Sequence, residues 1–135
     1  MSSNTNVSTG RCLCGDVRFE TDVPLDAVVH CHCGQCRRQT GTHVAATRVP
    51  SASLSVAGME HVTWFRSSDE AERGFCSRCG SALFWRRIGG ASTSVFAGAM
   101  DDQNVLHATA HIYVADKPDW YTIDDGLPQY AESDR

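Results

Sequence analysis

The sequence has no apolar run approaching the roughly 20 residues that a bilayer-spanning helix needs, so no membrane partner is expected. It has no excess of positive charge: the formal net charge is −4 and the isoelectric point near 5.8. A nucleic-acid partner requires a basic face and is therefore not expected. Lysine is almost absent, Lys117 being the only one. The basic residues are thus nearly all arginine, which matches carboxylate and phosphate geometry better than lysine or else reflects the composition of the source. The start of the chain, Met1-Ser2-Ser3-Asn4-Thr5-Asn6, is polar and lacks the apolar centre of a secretory signal. This predicts a cytoplasmic protein. Thiols there stay reduced, and clustered cysteines act as metal ligands or redox groups rather than as disulfides.

Helical periodicity is also scarce. Short β-rich runs separated by turn residues dominate instead. Strands are expected over Asp16–Thr21, Ala27–Cys31, Thr42–Val49 (ended by Pro50), Arg73–Cys76, Ala82–Arg87, Ser94–Ala97 and His111–Tyr113. Ser53–Val56 and His61–Phe65 flank Ala57-Gly58 like the arms of a hairpin, and Gly89-Gly90 marks another turn. Short helical turns fit after Cys33 and around Lys117–Tyr121. The expected fold is mainly β, with twisted antiparallel sheets and loops tied together by metal. With 135 residues and 41% hydrophobic content, one domain over residues 9–135 suffices, preceded by a disordered polar lead over residues 1–8.

Cysteine is plentiful. The seven cysteines fall into three groups: Cys12-Leu13-Cys14, Cys31-His32-Cys33-Gly34-Gln35-Cys36 and Cys76-Ser77-Arg78-Cys79. Zinc–sulfur bonds are about 2.3 Å and tetrahedral, so paired thiolates must converge within a tight turn. Gly15, Gly34 and Gly80 lie where such turns favour a positive φ. A closed structural zinc takes four protein ligands, and an open catalytic zinc takes three. The simplest partition gives Cys12, Cys14, Cys76 and Cys79 to a closed site and Cys31, Cys33 and Cys36 to an open one. A second partition joins Cys33, Cys36, Cys76 and Cys79 as a zinc ribbon. Disulfides are the third possibility, disfavoured by the odd count and by strain in a bridge across one intervening residue.

The order of these groups resembles the glutathione-dependent formaldehyde-activating enzyme family, whose domain is shared with centromere protein V. His30-Cys31-His32-Cys33-Gly34-Gln35-Cys36-Arg37-Arg38-Gln39-Thr40-Gly41 is similar to the central family motif. Phe75-Cys76-Ser77-Arg78-Cys79-Gly80-Ser81 is similar to the second, and His111-Ile112-Tyr113 through Asp125-Gly126-Leu127-Pro128-Gln129-Tyr130 to the family's ending. The resemblance spans residues 9 to 132. It implies an Mss4-like fold, two Zn²⁺ sites divided four plus three, and a catalytic role for Cys31, Cys33 and Cys36. It also implies a carbon–sulfur lyase that joins glutathione to formaldehyde. The alternatives are a related zinc enzyme acting on another thiol or sulfur compound, and a non-catalytic zinc module.

An open three-thiolate zinc suits delivery of a small thiol to an aldehyde. Water activation favours histidine-rich shells instead. His30 and His32 flank the ligands, but strand alternation turns them away from the cysteines, which favours a structural role. His43, His107 and His111 are assigned to ordinary packing or solvation. Arg37 and Arg38 are candidates for binding a substrate carboxylate or form a solvated turn. Trp64, Phe65, Phe84 and Trp85 are expected in the core.

Overall fold

The structure is a computed structural model that describes residues 7–133. Among them, β-branched and aromatic runs form ten strands: β1 (Ser8–Arg11), β2 (Arg18–Thr21), β3 (Ala27–Cys31), β4 (Val44–Pro50), β5 (Leu54–Ala57), β6 (Val62–Arg66), β7 (Ala71–Cys76), β8 (Ala82–Arg87), β9 (Ser92–Phe96) and β10 (His107–Ile112). One α-helix, α1 (Gly34–Thr40), follows β3. A small sheet has the order β1-β2-β5, and a seven-stranded sheet the order β10-β3-β4-β9-β8-β7-β6. No described helix is long and apolar enough to cross a membrane. The expected polar lead falls mostly outside the described residues, and Ser8, its last residue, opens β1.

The mainly-β architecture follows the sequence pattern, with three departures. The expected hairpin does not form. β5 pairs with β2, placing Val56 opposite Phe19, whereas β6 pairs with β7 in the other sheet. Gly58 makes this divergence possible. Its φ is 83°, and a Cβ there would stand 2.0 Å from the Asp16 carbonyl oxygen. Second, β10 runs parallel to β3, while the other strand pairs are antiparallel. After β9 the chain passes beside β1, where Met100 bridges to Gly10 and the Asp101 amide donates to the Thr9 carbonyl at 2.9 Å. It thereby reaches the far edge of the sheet already running in the direction of β3. Third, the helical turn expected at Lys117–Tyr121 is a single turn in which the Tyr121 amide donates to the Pro118 carbonyl at 3.3 Å, and a 3-10 turn over Val114–Asp116 precedes it. Pro118 lacks the amide needed to continue that earlier turn.

Val17, Phe19, Val49, Leu83, Phe84, Val95 and Met100 fill one cluster, and Cys12 and Cys76 belong to it. The Phe19 and Phe84 rings meet edge to face at 5.3 Å, joining the two sheets. Burying each such ring contributes about 2 kcal/mol. Phe65 is not in the core as expected: it is 62% exposed. Its neighbour Trp64 occupies the inward register, stacks on Phe84 and carries the Arg86 guanidinium on its ring, 3.6 Å from the centroid. Trp85 packs instead in a second cluster with Cys36, Val44 and Phe96.

Candidate metal centres

Two groups of sulfur atoms converge. Cys12, Cys14, Cys76 and Cys79 form one, and Cys31, Cys33 and Cys36 the other. Within each group all Sγ atoms lie within 4.8 Å of one another. The zinc-ribbon combination of Cys33, Cys36, Cys76 and Cys79 is not among the converging groups, and all seven cysteines are free thiols. Tetrahedral bonds of about 2.3 Å place sulfurs roughly 3.8 Å apart. Cys12 to Cys14 is 3.6 Å and Cys14 to Cys76 is 3.8 Å. An all-thiolate set of this size suits a soft tetrahedral cation such as zinc. Both groups are able to hold a metal ion.

The four-cysteine group is built from two turns on different sheets. Cys12 and Cys14 follow β1, whereas Cys76 ends β7 and Cys79 lies in the turn before β8. The Gly15 amide donates to the Cys12 carbonyl and the Gly80 amide to the Cys76 carbonyl, closing the turns with φ of 87° and 80°. Gly34 instead opens α1 with no positive φ. Backbone amides of Val17 and Cys79 donate to the sulfurs of Cys12 and Cys76 at 3.3 and 3.5 Å. The Ser81 hydroxyl lies 3.2 Å from the Cys79 sulfur and holds that thiol down to about 5. Cys12 and Cys76 are buried, so a metal held by this group would staple the small sheet to the large one from inside the core.

The three-cysteine group comes from one local segment. Cys31 ends β3, Cys33 caps α1 and Cys36 lies in its first turn. The Cys36 amide donates to the Cys33 sulfur at 3.4 Å, and the two sulfurs are 3.2 Å apart. Hydrogen bonds from Cys31 and Cys36 hold the Cys33 thiol far below its usual range, while Cys33 and Cys36 push the Cys31 thiol up. Among the described residues no fourth cysteine, histidine or carboxylate atom converges on this group.

Beside it in the chain begins a histidine cluster in which His32 and His111 are buried and His30 and His43 half-buried. No ligand atom of His30 or His32 converges on the three sulfurs, and both join His43 and His111 in more than ordinary packing. His30 Nδ1 is 2.9 Å from His43 Nε2, and the His30 and His111 rings stack at 4.7 Å. His32 Nε2 meets His111 Nδ1 at 2.8 Å, and His111 Nε2 meets Asp125 Oδ2 at 2.8 Å. A carboxylate only accepts, so His111 Nε2 donates to Asp125 and its Nδ1 receives the His32 proton. Burial, with the neighbouring His43 and His111, pushes both His30 and His32 down to about 4.

Arg73, on β7, reaches the Cys36 sulfur. Its importance was legible only as a charged residue at an inward strand register. Arg38 lines a cavity of about 420 Å³ with Gln35, Gln39, Phe65, Arg73 and Phe75. Arg37 is half-buried and does not line it.

A family model described as glutathione-dependent formaldehyde-activating enzyme matches residues 7–116. A Halomonas elongata protein named "Putative glutathione-dependent formaldehyde-activating enzyme" is 32% identical over 129 residues, covering 85% of this chain and 80% of that protein. A Schizosaccharomyces pombe protein named an uncharacterized lyase is 31% identical over 117 residues, covering 83% and 82%. A crystal structure of a Rhodobacter sphaeroides protein has the same fold, with a TM-score of 0.60 at 20% identity over 90% of this chain and 98% of that one.

Proposed function

The chain belongs to the glutathione-dependent formaldehyde-activating enzyme family, and from that premise we propose that it joins a small thiol, glutathione, to an aldehyde such as formaldehyde, or runs the reverse carbon–sulfur cleavage. The observation that carries this reading is the convergence of Cys31, Cys33 and Cys36 with no fourth protein donor among the described residues. Three ligands leave a tetrahedral position for a substrate sulfur.

Cys31, Cys33 and Cys36 would hold the catalytic zinc, and Cys12, Cys14, Cys76 and Cys79 the structural one. Zinc bound by three thiolates supplies a Lewis acid that makes a thiol ionise near neutral pH. The chain's own groups frame the chemistry. The Cys36 amide hydrogen-bonds to the Cys33 sulfur, and β3 and α1 fix the spacing of the three ligands. His32, held by His111, anchors the turn. Arg38 lines a cavity with Gln35, Gln39 and Arg73 and would meet a carboxylate of the thiol substrate there. In the forward direction a carbon–sulfur bond forms at the aldehyde carbon, and the thiol proton ends on the carbonyl oxygen. The names of the bacterial and yeast relatives support this class of activity. A reducing cytoplasm, where thiolates persist, suits it.

The test is exchange spectroscopy on glutathione and formaldehyde. The expected result is faster exchange with their adduct in the presence of the zinc-loaded protein, lost in Cys33→Ser. A second thiol accelerated in preference to glutathione would identify a different substrate. No acceleration with any thiol, from protein carrying both metals, would leave a metal-binding module.

A further inference from the structure

Arg73 projects inward from β7, three residues before Cys76, and is only 5% exposed. Its Nη1 donates to Gln39 Oε1 at 2.8 Å and its Nη2 to Gln35 Oε1 at 3.3 Å. Both terminal nitrogens also reach the Cys36 sulfur, at 3.8 and 3.7 Å. Among the described residues no carboxylate pairs with it, and its Nε is buried without a partner.

A buried cation without a counter-ion is strongly unfavourable. Two glutamine oxygens supply dipoles, not charge. The remaining contact is the Cys36 sulfur, which would supply negative charge once it binds a metal as a thiolate. The converse also holds. Three thiolates around a divalent ion carry one net negative charge, and an incoming thiolate adds another. A guanidinium in contact offsets that accumulation. Gln35 and Gln39, one helical turn apart on α1, hold the fork against Cys36, and Gln35 is itself tied to the Ser67 carbonyl at 3.2 Å.

We propose that Arg73 is a positioning residue of the three-cysteine centre: it donates to the Cys36 sulfur and neutralises the centre's charge, strengthening its hold on metal and its acceptance of an anionic sulfur ligand. This rests on the reading of Cys31, Cys33 and Cys36 as a metal centre.

The experiment places zinc in the four-cysteine site and cobalt in the three-cysteine site of wild type, Arg73→Met and Arg73→Lys. In Arg73→Met the cobalt affinity falls about tenfold, the usual scale for losing a partner of a metal ligand. The sulfur-to-cobalt charge-transfer band moves to lower energy, because a sulfur without its donor holds its electrons less tightly. Arg73→Lys recovers part of both changes by keeping the charge. A folded Arg73→Met protein with wild-type affinity and band position overturns the proposal. If Arg73→Met fails to fold, Arg73→Gln, polar but uncharged, decides: a weakened cobalt affinity supports the proposal, and a wild-type affinity overturns it. A wild-type centre that takes up no cobalt overturns the premise and the proposal together. Neither readout needs turnover, so an inactive wild-type protein counts against the catalytic reading while the cobalt spectra still decide the role of Arg73.

Discussion

His32 and His111, 79 residues apart in sequence, share a 2.8 Å hydrogen bond at the turn that carries Cys31 and Cys33. Both side chains are 1% exposed. The bond joins the residue after β3 to β10 and fixes the ligand turn to the C-terminal segment through Asp125. His111→Ala removes the acceptor, leaves a buried donor unpaired and opens a cavity. The expected loss is about 3 kcal/mol of unfolding free energy, read by urea denaturation of metal-loaded protein. Asp125 is exposed, so Asp125→Asn should shift the midpoint less. Equal effects would show that the buried pair is not what anchors the turn.

Acid should act through the same cluster. Folding lowers His30 from 6.5 to about 4. Between those values the unfolded chain binds more protons than the folded one. Stability therefore falls as pH falls from about 6.5 toward 4 and is unaffected by this group above that range. His30→Gln, which keeps a polar group but cannot take up charge, should show a shallower acid slope at equal metal loading. Thermal midpoints measured across that range check it, and parallel slopes would refute it.

The two metal centres should fail differently. Cys76→Ser removes a ligand from a group embedded in the core between both sheets, and unfolding of the domain is expected. Cys33→Ser disturbs one local turn, so the fold should largely survive with one metal per chain instead of two. Circular dichroism and metal analysis distinguish these outcomes. Equal destabilisation by both substitutions would overturn the division into structural and catalytic centres.

Gly58 should tolerate no side chain. Gly58→Ala combines a φ of 83° with a Cβ driven against the Asp16 carbonyl. A cost of about 3 kcal/mol is expected, with catalysis per folded molecule unchanged. A variant as stable as wild type would mean that the chain crosses Asp16 differently.

Arg38→Ala should raise KM for glutathione several-fold while leaving kcat and the thermal midpoint near wild type, because the side chain borders the cavity without supporting the core. A change in kcat with KM constant would place Arg38 at the reacting atoms instead.

Local chemistry was legible in the sequence because it depends on near neighbours. The turns Cys12-Leu13-Cys14-Gly15 and Cys76-Ser77-Arg78-Cys79-Gly80 announce themselves by spacing and by glycines with positive φ. The β-rich runs announce a mainly-β chain. Long-range contacts were not legible. Nothing local tells β5 to leave its apparent hairpin partner for β2, or β10 to lie parallel to β3. Those choices follow from burying Val56 with Phe19 and from the path of the chain beside β1. Arg73 and His111 read in sequence as an ordinary strand arginine and histidine. Only tertiary folding brings one to the Cys36 sulfur and the other to the ligand turn, because charge compensation and buried hydrogen bonds are satisfied across distant segments. By itself the sequence determined which residue types gather for metal and in what local geometry. The tertiary structure decided which sulfurs share a centre and what surrounds the one left with three.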